Sequence, residues 1–224
     1  MELGRPEGLR PLRVPQAGLT VTASTTRRVR AGDIEVEVEE AGAGERAFVL
    51  VHGFTGSRDD FREVVPVLAE CGRTLALDLR GHGGSTNSGV ESDYDLYRMA
   101  DDVLAALDAC EVPACDLLGH SMGGMIALRL TLAHPERVRS LVLMDTLAKP
   151  FRFMPPAMLD AARKLLDESG MDGLFQMLKN APTPRPPSHL RWREEMGRET
   201  DHYHGSVKSS CFFRHGPVST WNNE

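Results

Sequence analysis

Gly119-His120-Ser121-Met122-Gly123 is the run whose residue types and spacing could do covalent chemistry. One serine stands between two glycines, each two positions away. An apolar run, Cys115-Asp116-Leu117-Leu118, precedes it, and a strongly apolar stretch from Met125 to Leu132 comes after, ending near His134-Pro135. A strand turning sharply into a helix would lift the serine oxygen clear of the backbone. Side chains at 119 and 123 would clash in such a corner, which is why glycine stands there. The same corner aims the first amides of the helix at whatever the serine attacks, so the Met122 N–H would face a developing oxyanion. An isolated G-x-S-x-G is no more than a Gly-rich turn with a capping serine. With a strand before it and a helix after it, the run reads as a nucleophile elbow, and the expected chemistry is attack by Ser121 Oγ on a carbonyl carbon.

The elements that must position this serine can be read from the hydrophobic pattern. Ile34-Glu35-Val36-Glu37-Val38-Glu39 alternates apolar and charged residues, as a half-exposed strand at a sheet edge does. Residues 47–51, 74–78, 115–118 and 138–144 are short apolar runs of the kind that form buried strands. Between them, Phe61, Val64, Val65 and Leu68 share a helical face, with Pro66 kinking that segment or starting its regular part. Leu96, Met99, Ala100, Val103, Leu104 and Leu107 form a second stripe, with Asp93 as the expected cap. Strands alternating with helices from 47 to 145 predict an α/β fold: a mostly parallel sheet with helices on both faces. Ligands of such sheets sit at the carboxyl ends of the strands, where the polar motifs fall.

Two further motifs sit at strand ends. His52-Gly53-Phe54-Thr55-Gly56-Ser57 comes after residues 47–51, and Asp78-Leu79-Arg80-Gly81-His82-Gly83-Gly84-Ser85 after the next strand. With the elbow, these resemble the α/β-hydrolase superfamily over about residues 20–150, most closely its small-molecule esterases, lactonases and cofactor-free perhydrolases. The resemblance implies that the Phe54 N–H is a second oxyanion donor beside that of Met122. It also implies that His52 braces its loop and that Asp78, Arg80 and His82 are scaffold, since buried charge in such a loop is normally paired. A serine at 121, where some members carry aspartate, disfavours epoxide hydrolase and haloalkane dehalogenase chemistry.

The resemblance also implies a triad in the order Ser, acid, His, on two more strands beyond a helical lid. Asp145, at a strand end, is the candidate acid. No apolar strand leading into Gly-His occurs after residue 150, and His189, His202, His204 and His215 all sit in polar or irregular surroundings. A strand–crossover–strand unit needs about 30 residues, and the lid takes up most of the chain beyond Asp145. The expected organisation is a disordered arm at 1–18, a core at 19–149, a helical lid at 150–200 and an irregular tail at 201–224, with the last two strands missing. The lid reading rests on Leu159, Ala162, Leu165 and Leu166, then Leu174, Met177 and Leu178, before a break at Pro182–Pro187. A fragment or frame-shifted product of a longer hydrolase is the favoured reading, and a short natural protein without the full triad is the other. An uncovered apolar sheet edge would then promote self-association.

The chain has 224 residues, 41% of them hydrophobic, which is a globular composition. A net charge of −6 argues against a nucleic-acid partner or an anionic membrane. No apolar run is long enough to span a bilayer and the first residues lack a secretory signal, so a cytoplasmic location is expected. The four cysteines lack metal or redox spacing and should be free thiols. The expected function is a serine hydrolase cleaving an ester, thioester or lactone of a small molecule through an acyl-enzyme, impaired if acid and His are absent, with no metal or organic cofactor implied. The alternatives are a C–C lyase of the same fold, of the menaquinone-pathway type, and a non-catalytic module binding a small ligand.

Overall fold

The computed structural model describes residues 23–148, together with separate helical residues between 157 and 176. The expected arm and tail and the Pro182–Pro187 break lie outside the described residues. So do His189, His202, His204, His215 and most of the expected lid.

Six strands form one sheet: β1 Thr25–Ala31, β2 Ile34–Ala41, β3 Ala47–Val51, β4 Arg73–Leu77, β5 Cys115–His120 and β6 Val138–Met144. Their spatial order is β1-β2-β4-β3-β5-β6. The pairs β4–β3, β3–β5 and β5–β6 are parallel, while β1–β2 and β2–β4 are antiparallel. The mostly parallel sheet read from the sequence is therefore present. β3 is buried at all five positions, as its unbroken apolar run requires.

The edge assignment needs correction. Ile34–Glu39 belongs to β2, which lies inside the sheet; the edge is β1, a strand the pattern did not reveal. β2 alternates because one face carries Ile34, Val36 and Val38 into the core. Its other face carries Glu35 and Glu37, which meet Arg28 of β1 at 3.7 and 3.8 Å.

Helices cover both faces. α1, Val65–Ala69, carries Pro66 in its first turn, where a proline is tolerated, so the proline does not kink the helix. Val65 and Ala69 pack with Phe61, Ala41, Leu50 and Ala76 on one face. α2, Leu96–Ala109, and α3, Met122–Ala133, pack on the other against Val36, Val38, Val49, Leu75 and Leu117. The cap of α2 is Asp95 and not Asp93: its carboxylate accepts from the Tyr97 and Arg98 amides at 2.8 and 2.9 Å. Residues Glu91–Asp93 form a short 3-10 turn, which displaces the helix start by two residues.

From β3 the chain steps to β4 on one side, then crosses back to β5 on the other. Such a reversal, here at the carboxyl ends of β3 and β5, is where an open α/β sheet binds ligands. His52–Phe54 extend from β3 there, and Ser121 from β5. Cys71, Cys110 and Cys115 are free thiols, and burial pushes that of Cys115 up to about 12.

Candidate active site

Ser121 sits between the last residue of β5 and the first of α3, with φ 51° and ψ −115°. A non-glycine residue held there costs on the order of 1–3 kcal/mol and persists only where its surroundings over-determine it. They do. Its N–H donates to the Met144 carbonyl at 2.8 Å, and its carbonyl accepts from the Gly124 and Met125 amides at 3.0 and 3.3 Å. The Thr146 hydroxyl donates to that carbonyl as well, at 2.6 Å.

The glycines of the motif have specific neighbours. A Cβ on Gly119 would overlap the Gly123 carbonyl, and a Cβ on Gly123 would overlap the carbonyls of Val51 and His52. Gly123 thus lets α3 press on the end of β3, which draws the elbow toward the 52–54 corner. A Cβ on Gly53 would lie 3.3 Å from Ser121 Cβ and 3.0 Å from His120 Nδ1. Ser121 is half-buried and borders this corner.

His52 is fully buried and fixes the corner. Its Nε2 accepts from the Leu79 N–H at 3.0 Å, so the ring proton is on Nδ1, which donates to the Gly53 carbonyl at 2.7 Å. The Gly56 N–H binds the same carbonyl at 3.1 Å. In a trans peptide the N–H points opposite the carbonyl, so these two bonds orient the Phe54 N–H. Burial holds His52 well below the usual histidine range, and His82 and His120 nearby lower it further. It is a neutral bracing residue, as the sequence suggested.

The loop after β4 is a set of paired charges. Buried Asp78 accepts from the Arg58 N–H at 2.7 Å, the Arg58 guanidinium at 2.5 Å and the Gly84 N–H at 2.9 Å. Gly83 is glycine because a Cβ there would overlap that carboxylate. Arg80, 1% exposed, binds Asp102 through two nitrogens at 2.6 and 2.7 Å and reaches Asp33 at 3.2 Å. His82 points its Nε2 at the Phe54 carbonyl, 3.2 Å away.

The structure therefore brings together Ser121, the 52–54 corner and the start of α3. Met122 is the first residue of α3, where an amide has no intrahelical carbonyl to bond. Asp145 lies just past β6 with φ 48°; its side chain is exposed and makes no hydrogen bond or ion pair with a described residue. Ser121 Oγ likewise makes no hydrogen bond among the described residues, which show no group of three or more metal-ligating side chains. No described helix is long and apolar enough to cross a membrane. Two contacts escaped the sequence: Thr146 on the Ser121 carbonyl and His82 on the Phe54 carbonyl. Neither belongs to a spaced motif, because both join loops distant in sequence.

Comparison with known proteins agrees with this fold. A family model described as alpha/beta hydrolase fold matches residues 46–186. The 2-hydroxymuconate semialdehyde hydrolase of Pseudomonas sp. (strain CF600) is 36% identical over 128 residues, which is 56% of this chain and 44% of that protein. Epoxide hydrolase A of Mycobacterium tuberculosis is 32% identical over 136 residues, 60% of this chain and 42% of that protein. Among solved structures, an esterase from Exiguobacterium antarcticum superimposes with a TM-score of 0.67 at 25% identity, covering 84% of this chain and 73% of the esterase. The chain spans about half the length of the curated relatives it matches. It belongs to the alpha/beta hydrolase fold family.

Proposed function

We propose that the protein is a serine hydrolase acting on the acyl group of a small molecule: an ester, a thioester or a lactone. The observation that carries this reading is the backbone of Ser121, held at φ 51° at the carboxyl end of β5 beside the Gly53 corner. Ser121 Oγ attacks the carbonyl carbon, the carbonyl π electrons move onto its oxygen, and the amides of Phe54 and Met122 stabilise that oxyanion. Collapse breaks the bond to the leaving oxygen or sulfur, which takes up the proton given up by Oγ, and leaves an acyl-serine. Water attacks that ester in turn, one of its protons returns to Oγ, and the carboxylic acid leaves.

The identity of the nucleophile separates acyl chemistry from the epoxide opening named for one relative. A carboxylate opening an epoxide leaves an ester that water can cleave. A serine doing so would leave an ether, which water cannot cleave under the same conditions. With serine at 121, turnover needs an acyl substrate. The esterase among the structural neighbours supports the same class.

The base that takes the serine proton and the acid that orients it are not assembled among residues 23–148. Asp145 stays the candidate acid. A serine elbow without its partners retains only the rate supplied by binding and the oxyanion donors, which can still exceed the uncatalysed rate about 10³-fold. The helical residues between 157 and 176 are read as part of a lid over the strand ends, where substrate choice would be made.

The test is labelling with a fluorophosphonate, peptide mapping of the adduct, and hydrolysis of p-nitrophenyl butyrate by the full chain and its Ser121→Ala variant. An adduct on Ser121 and loss of turnover in the variant are expected. Equal turnover by both proteins, or an adduct elsewhere, overturns the reading.

A further inference from the structure

We propose that Thr146 is a positioning residue for the nucleophile, and that Gly124 is glycine in order to admit it; this rests on the reading of Ser121 as nucleophile. The elbow pattern accounts for Gly119 and Gly123 but not for the second glycine of Ser121-Met122-Gly123-Gly124. In the structure a Cβ on Gly124 would stand 2.6 Å from both Cβ and Cγ2 of Thr146 and 2.7 Å from its Oγ1. Those are overlaps with a side chain of one rotatable bond, which has no flexible end to give way. The glycine is the space into which Thr146 fits.

Thr146 uses that space to reach Ser121. Its Oγ1 donates to the Ser121 carbonyl at 2.6 Å, shorter than the 3.0 and 3.3 Å bonds from the Gly124 and Met125 amides. The Ser121 N–H is held from the same side, by the Met144 carbonyl at 2.8 Å. Asp145 lies between these two partners at φ 48°, a left-handed turn that lets the residues on either side of it both face the elbow. The end of β6 thus grips both backbone polar groups of the nucleophile. Without the hydroxyl, the Ser121 carbonyl keeps only the two longer amide bonds, and the peptide can relax from its strained rotation. Ser121 Oγ would then swing relative to the Phe54 and Met122 amides, although no residue that touches substrate has changed.

Thr146→Val keeps the shape and removes the donor; Thr146→Ser keeps the donor. The rate and concentration dependence of fluorophosphonate inactivation are measured for both, for Gly124→Ala and for Gly124→Ala combined with Thr146→Val. The expected result is a fall of roughly 10-fold in the limiting inactivation rate for Thr146→Val, the size of one hydrogen bond to stability or binding. Half-saturation should be unchanged, Thr146→Ser should recover most of the rate, and the double variant should be no slower than its slower parent. A Thr146→Val protein of lower melting temperature but unchanged inactivation rate overturns the proposal. A second arm does not need a reactive serine: amide hydrogen exchange by NMR. Thr146→Val should speed exchange of the Ser121 amide and leave the amides of β3 and α2 unchanged. If Ser121 is never labelled, the nucleophile reading falls, and unchanged Ser121 exchange alone then overturns the positioning role.

Discussion

The imidazoles of His52 and His82 lie 4.9 Å apart, and each meets a carbonyl on a different side of the Phe54 α-carbon. His52 donates to the Gly53 carbonyl and spends its other nitrogen on the Leu79 N–H. His82 faces two carbonyls, of Arg80 at 3.0 Å and of Phe54 at 3.2 Å, so its neutral ring can donate to one at a time. The two rings hold the backbone on either side of the Phe54 α-carbon. Both depend on a buried setting that resists their protonation.

Stability should therefore fall on mild acidification. Burial lowers both histidines below the ordinary value near 6.5, with the carbonyls of Arg80 and Phe54 partly opposing this for His82. In the unfolded chain both bind protons as the pH drops through about 6.5. The folded chain binds them only at lower pH. The unfolded state then holds more protons, so the contribution is complete above the unfolded value and is lost toward the folded ones. Urea midpoints taken from about pH 7.5 down to 5.5, a window above most carboxylate titration, should decline. His52→Asn should lower the midpoint at the top of the window and flatten its slope. A flat wild-type curve would contradict the neutral, buried pair.

Gly123→Ala should damage fold and site together. Its Cβ would overlap the carbonyls of Val51 and His52, which are backbone atoms at the end of a fully buried strand. α3 must then back away from β3, at an expected cost of about 1–3 kcal/mol. The retreat also parts Ser121 from the Gly53 corner. Thermal melts and fluorophosphonate labelling check both effects. A variant that melts like wild type and labels at the same rate would show that the close approach is not needed.

The legible parts of this fold were those where one residue type answers one physical demand. β3, β4 and β5 read as continuous apolar runs because helices cover both of their faces. β1 was invisible because Thr25-Thr26-Arg27-Arg28-Val29-Arg30-Ala31 buries only Val29 and Ala31, too few positions to set a period. Asp93 and Asp95 are equally good caps by residue type, and only the 3-10 turn at Glu91–Asp93 decides for Asp95. The elbow at Ser121 is legible through turn chemistry that demands glycines at fixed distances, whereas Phe54 is a candidate donor only through the resemblance of its motif. Thr146 was not legible, because its hydroxyl acts across 25 residues through a contact that no spacing rule describes.

The Arg80 cluster should be costly to break and cheaper to remove. Arg80 and Asp102 are both buried and joined by two hydrogen bonds. Arg80→Met leaves Asp102 charged and alone in the core, at an expected cost of about 3–5 kcal/mol. Adding Asp102→Leu removes the stranded charge, and the double variant should recover a large part of that loss. Denaturant melts of the singles and the double give the coupling. Additive losses would mean that the two side chains do not act as a pair.

The outer side of β6 should pair with a second copy of the chain. No described strand bonds to that side, and Val142, Leu143 and Met144 are 51%, 42% and 42% exposed. Antiparallel pairing of two β6 strands about Leu141 would set Val138 against Met144, Arg139 against Leu143 and Ser140 against Val142. No like charges then oppose each other, so nothing in the strand resists the register. Association should rise with protein concentration in sedimentation velocity. Val142→Lys places two charges beside the shared axis and should restore the monomer, while the melting temperature of the monomer stays close to wild type. A wild-type chain that sediments as a monomer at high concentration would mean that this edge is already covered.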